Sequence, residues 1–268
     1  RRQRQMCIRD RYMTTQLNGA ETVFLPFNQG SNGAGKDGGA GNPTTEDGKY
    51  VTSYFWENVL QKDKLLDILQ KFISYERSEK KKIMPDGSTK TTVSSKVIFP
   101  RYHQLDVVRK LVSHVRENGA GHNYLIQHSA GSGKSNSIAW TAYRMASLHD
   151  ENNNPIFDSV IIVTDRRVLD QQLQATVSGF DHTLGSVVTI DEKKNSGDLR
   201  DAINDGKRII ISTLQKFPVI YDEVHSSVGK HYAVIVDEAH SSQTGQSALK
   251  LKAALADVSD ALQEYAEL

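Results

Sequence analysis

Eight consecutive residues, His128-Ser129-Ala130-Gly131-Ser132-Gly133-Lys134-Ser135, leave little freedom in what can be built around them. Ahead of them lies an apolar run, Tyr124-Leu125-Ile126, and residues 123–127 have the length of one buried strand. Behind them Ile138, Ala139, Ala142, Met145, Ala146 and His149 recur at helical spacing. Strand, glycine turn and helix in this order suit a triphosphate. Small residues let backbone N–H groups close round phosphates, and the helix N-terminus directs its partial positive charge at them. On this reading Ala130, Gly131, Ser132 and Gly133 line the cradle, Lys134 reaches the β- and γ-phosphates, and the Ser135 hydroxyl ligates Mg²⁺. The commonest form of such a loop opens with glycine five residues before Gly133, where this chain has His128. A relaxed form keeps only Gly-x-Gly-Lys-Ser/Thr, which is satisfied here.

An earlier stretch, Gly30-Ser31-Asn32-Gly33-Ala34-Gly35-Lys36, fits the formal G-x-x-x-x-G-K spacing better. Its context is wrong. Asp37 stands where a hydroxyl is needed, and Gly38, Gly39, Gly41 and Pro43 forbid a following helix. Residues 28–42 therefore read as a flexible surface loop.

Beyond residue 150 the pattern alternates. Strands are expected at 158–164, 185–190, 207–212 and 231–236, with helices at 167–178 and 197–204 between them. Runs such as Val160-Ile161-Ile162-Val163 are apolar without a break, which argues a parallel sheet covered on both faces. The fold class is α/β, and ligands belong at the carboxyl ends of its strands. There the last strand delivers Asp237-Glu238-Ala239-His240. Asp237 can help hold Mg²⁺, Glu238 can orient and deprotonate an attacking water, and His240 can couple the γ-phosphate to the other ligand. Upstream, Phe99-Pro100-Arg101-Tyr102-His103-Gln104 opens a helix running through Val115. Gln104 is the candidate for adenine recognition, because one amide can donate to N7 and accept from N6.

Charge decides little, since 33 basic against 32 acidic residues leave a net charge of +1. Any nucleic-acid surface must be local. The single cysteine, Cys7, excludes an intramolecular disulfide and fits a reducing, cytoplasmic setting. No apolar run approaches the ~18 residues of a membrane helix, so no membrane partner is expected.

The wording around these motifs carries a resemblance. Gly-x-Gly-Lys-Ser with Asp-Glu-Ala-His marks superfamily 2 helicase-like ATPases. Phe99 to Gln104, Gln127 to Ser137, Val163-Thr164-Asp165-Arg166-Arg167-Val168-Leu169-Asp170, Ser212-Thr213-Leu214-Gln215-Lys216-Phe217 and Asp237 to Gln243 together resemble the restriction (R) subunit of type I restriction-modification enzymes. The resemblance implies a RecA-like first motor lobe that uses ATP and Mg²⁺ to translocate double-stranded DNA. It also implies partnership with methylation and specificity subunits. By family position Arg166, Arg167 and Thr213 lie near DNA phosphates, where guanidinium and hydroxyl groups suit contacts that carry no sequence information. Two other readings stay open: another superfamily 2 DNA helicase or translocase, and a nucleotide-switched interaction module.

The resemblance also divides the chain. Residues 1–11 are basic and aperiodic and read as a non-native or disordered start. Residues 12–27 read as the trailing edge of a nuclease domain, with no metal-binding acid set to carry cleavage. Residues 28–96 read as the Gly-rich loop and a helical linker. They include two short helices from Ser53 and a solvated connection rich in Lys, Thr and Ser ending near Lys96. Residues 97–268 read as a truncated ATP-binding lobe, its second RecA-like lobe lying outside the chain.

Overall fold

The computed structural model describes residues 9–45, 48–83, 89–129, 131–164, 167–180, 186–190, 194–213, 216 and 230–237. The chain falls into two compact units, Arg1–Val107 and Val108–Leu268.

The first unit is organised round an aromatic cluster. A short antiparallel pair, β1 (Tyr12–Met13) and β2 (Leu25–Pro26), delivers Phe27, whose ring meets Phe55 and Tyr102 edge to face and Phe99 at a tilt. Tyr54 is buried beside Tyr102, and its hydroxyl donates to the Phe27 carbonyl. Burial is the largest cause that pushes the Tyr54 phenol up to about 12. A one-turn π-helix (Phe55–Val59) and α1 (Lys62–Lys71) follow, supplying the two short helices expected there. Ile68 and Phe72 are the apolar anchors that α1 buries.

Two segments of this unit differ from the expectations. The Gly-rich segment closes on itself, with Gly30 N–H donating to Gly41 O and Ser31 N–H to Gly39 O. Its Asn28, Gln29 and Asn42 bond to Arg11, Tyr102 and Arg9. Composition hid this because glycine turns read as flexible, whereas the order comes from polar side chains satisfying particular backbone groups. No helix follows Lys36, as its context required. The second difference is larger. In place of a solvated connection the chain forms an antiparallel ribbon, β3 (Ser74–Ile83) paired along its whole length with β4 (Thr89–Ile98). Thr, Val and Ser suit a pleated strand. At the ribbon base Lys96 pairs with Glu76 directly opposite, at 3.0 Å. Lysine-rich composition concealed these strands.

The second unit is the α/β body. Its strands β5 (Ser159–Thr164), β6 (Val187–Thr189), β7 (Ile209–Thr213) and β8 (Tyr232–Val236) form a parallel sheet in the order β6-β7-β5-β8. Helices α2 (Tyr102–Asn118), α3 (Lys134–Ala146), α4 (Arg167–Gly179) and α5 (Ser196–Asn204) come from the expected segments, α2 beginning within the first unit. Alternation along each strand separates two cores. Ile161, Val163 and Ile210 pack with Leu199, Ala202 and Ile203 of α5 on one face. Helices α3 and α4 pack on the sheet from the other side, where Trp140 of α3 stacks edge to face on Phe180 just past α4. The α5 helix is fixed by a capping box in which Asn195 accepts from Asp198 N–H and Asp198 accepts from Asn195 N–H.

The strand expected at residues 123–127 does not form. Leu125 is 87% exposed, and Tyr124 instead bonds through its hydroxyl to His114 Nδ1, at 2.8 Å. A strand exists only where its backbone groups pair with a neighbour, and an apolar run does not supply that neighbour. No described helix is long and apolar enough to cross a membrane.

Candidate functional site

The glycine turn sits where the sequence places it. Gly131 and Gly133 both adopt left-handed backbone, with φ of 73° and 85°. Any L side chain there meets its own carbonyl, which is why this turn uses glycine. Gly133 is the N-cap of α3, so the helix starts at Lys134 with no intervening residue. Ser132 N–H donates to Ser129 O at 3.2 Å, and Asn136 N–H donates to Gly133 O at 3.1 Å, tying turn and helix together. A helix gives its first N–H groups no partner of its own, and its macrodipole makes that end positive. A Cβ built on Gly131 meets nothing within 4 Å, so the turn has open space on the side that a side chain would fill. The residues present therefore fit a bound phosphate group. Lys134 and Ser135, the first two residues of α3, are half-buried.

The second group lies at the carboxyl edge of the sheet. In the parallel ladder Val163 is opposite Val236, and Asp237 follows one residue later with its N–H donating to Val163 O at 2.9 Å. On the other side of β5, Thr164 is opposite Thr213. Asp237, Thr164 and Thr213 thus occupy one level across three adjacent strand ends. Thr213 is 8% exposed. Thr164 was not singled out as a site residue, although it lies at this edge and its buried hydroxyl has no hydrogen-bond partner among the described residues. The signal was available, since it is the polar residue ending an apolar run at the carboxyl end of a strand. Helix α3 packs across β5, β7 and β8, so the helix that opens at the glycine turn rests on the strand leading to Asp237.

Gln104, third residue of α2, is 3% exposed and accepts the Arg101 N–H at 2.8 Å through Oε1. This is half of a capping box. One lone pair of the amide oxygen is therefore engaged within the helix start. Arg167 is the first residue of α4, placed by its backbone. Ala130, Arg166, Glu238 and His240 lie outside the described residues. Among the described residues no cluster of three or more His, Cys, Asp or Glu side chains forms a metal centre.

A parallel sheet clothed by helices, with a glycine turn feeding a helix and an aspartate at the strand ends, defines a nucleotide-binding α/β protein. The family model described as SWI2/SNF2 ATPase matches residues 103–260, more than half of the chain, from the start of α2 through the glycine turn and Asp237. The chain belongs to the SWI2/SNF2 ATPase family, and so to the superfamily 2 helicase-like ATPases. None of the curated proteins compared with the chain matches it.

Proposed function

We propose that this chain is the nucleotide-binding lobe of a double-stranded DNA translocase, the motor part of a type I restriction R subunit. The observation that carries the motor reading is the left-handed pair Gly131 and Gly133 opening directly into α3. The restriction assignment is supported by the wording of the five sequence stretches set out above.

In this reading Lys134 and the first N–H groups of α3 hold the β- and γ-phosphates of ATP. Ser135 and Asp237 hold Mg²⁺, which when bound neutralises charge on the transferred phosphoryl group. Glu238 orients a water and takes its proton as the water oxygen bonds to the γ-phosphorus and the bond to the ADP oxygen breaks. His240 links the γ-phosphate to the DNA side. Gln104 reads adenine with the amide capacity left after its bond to Arg101. Arg166, Arg167 and Thr213 meet duplex phosphates. The protein acts in the cytoplasm, on DNA selected by its methylation and specificity subunits.

The test is ATP hydrolysis with and without long duplex DNA. Duplex should raise turnover. With the methylation and specificity subunits added, the stimulation should depend on an unmethylated target. Turnover indifferent to duplex contradicts the translocase reading. Stimulation that ignores the partner subunits assigns the chain to another superfamily 2 translocase, a reading that the SWI2/SNF2 match accommodates.

A further inference from the structure

The β3–β4 ribbon is left unexplained by the nucleotide site. Residues 74–98 contain Arg77, Lys80, Lys81, Lys82, Lys90 and Lys96 against Glu76, Glu79 and Asp86, a net +3 in a chain whose total is only +1. All other residues together are therefore net negative, and the ribbon is a local basic feature.

Register sorts these charges. Lys96, Ser94, Thr92 and Lys90 alternate with Val97, Ser95, Val93 and Thr91 along β4, so the two sets belong to opposite faces. The pairing places Lys80 opposite Thr92 and Lys82 opposite Lys90. The ladder positions level with Thr92 and Lys90 thus hold three lysines and no carboxylate. At the base the Glu76–Lys96 pair neutralises itself, leaving the charge at the distal half. Every residue from Thr89 to Val97 is exposed, so both faces of β4 are solvated. A strand pair that buries neither face gains little from core packing, and two strands alone are marginal in water. Stacked lysines on such a surface repel one another unless a polyanion lies across them.

We infer that the β3–β4 ribbon is a contact surface for the phosphate backbone of double-stranded nucleic acid, carried by Lys80, Lys82 and Lys90 with Thr92 and Ser94 as hydroxyl donors. Dimensions agree with the chemistry. Ten residues at ~3.3 Å each give a rod of roughly 33 Å, and a two-stranded ribbon is narrow enough for a major groove about 12 Å wide. Lysine and hydroxyl groups make phosphate contacts that position a protein without reading sequence. A regular row of phosphates matches regularly spaced ladder positions better than the irregular charges of an acidic protein surface would. The inference rests on the reading of the chain as a duplex-binding motor, and adds a contact outside the residues matched to the ATPase family.

The experiment is duplex binding by the whole chain across a salt series, for the wild type and for the triple substitution Lys80→Thr, Lys82→Thr, Lys90→Thr. Threonine keeps strand propensity, so the ribbon is retained. Each phosphate contact contributes about −0.9 to the slope of log K against log salt, so three lost contacts should flatten it by about 2–3. The triple Lys→Arg variant should keep the wild-type slope. Arg77→Thr with Lys81→Thr, on the alternate ladder positions, should change it less. ATP hydrolysis without DNA should be the same in all variants. If the wild type binds duplex and the threonine variant matches its affinity and slope, the ribbon proposal is overturned while the motor reading stands. If the wild type binds no duplex, both fall. Loss of binding to anionic vesicles with duplex binding intact would instead assign the surface to a membrane and overturn the proposal.

Discussion

Gly131→Ala separates what the glycine turn does for the fold from what it does for the ligand. The backbone there has φ of 73°, and a Cβ meets no atom within 4 Å. The folding cost is therefore conformational and not a clash. A left-handed L residue costs about 1–2 kcal/mol, and the loss of chain entropy in the unfolded state returns about 0.4–1 kcal/mol. The net destabilisation should be about 1 kcal/mol, a fall in Tm of about 2–4 °C for a unit of this size. Asparagine tolerates the left-handed region, so Gly131→Asn should recover most of that loss. Nucleotide binding should behave differently. Both substitutions put a side chain into the open space of the turn, and both should weaken ATP binding at least tenfold, about 1.4 kcal/mol. The assays are thermal unfolding by near-ultraviolet circular dichroism and calorimetric titration with Mg-ATP. An alanine variant as stable as the wild type would refute the backbone argument. An asparagine variant that binds ATP normally would refute the placement of the phosphates.

The remaining predictions concern the frame. Leu199→Ala should cost about 2–5 kcal/mol by emptying the core that α5 shares with Ile161, Val163 and Ile210, measured by urea unfolding. Asn195→Ala removes the capping box of α5 and should cost about 1 kcal/mol, with faster amide exchange in the first turn of that helix. Tyr54 is raised in the folded chain from 10.0 to about 12, chiefly by burial. Its contribution is present below pH 10, where both states are protonated, and is lost as pH rises through the folded value because only the unfolded phenol ionises early. Stability should therefore fall between about pH 10 and pH 12, and Tyr54→Phe should flatten that fall.

What the sequence revealed and what it hid follow from how local each signal is. The four parallel strands were legible because buried parallel strands are apolar end to end, and β5 and β8 begin within one residue of their expected starts. The glycine turn was legible because its demand on backbone φ is met almost only by glycine. Residues 123–127 misled because apolar content says nothing about whether a strand finds a partner. The ribbon was hidden because β3 and β4 are defined by pairing across a turn, and lysines outweigh the Thr/Val alternation that favours it. The order in the Gly-rich loop was hidden for a related reason. Bonds such as Gln29 to Tyr102 link residues 73 positions apart.

The central claim is that the turn and the start of α3 hold the phosphates of Mg-ATP. Its most direct measurement is equilibrium binding of a fluorescent ATP analogue to this chain with Mg²⁺, repeated with Lys134→Ala and with excess chelator. The account predicts one site per chain, weakened at least tenfold by Lys134→Ala and weakened when Mg²⁺ is removed. Binding that is unchanged by Lys134→Ala, in a variant with the same unfolding transition as the wild type, would contradict it.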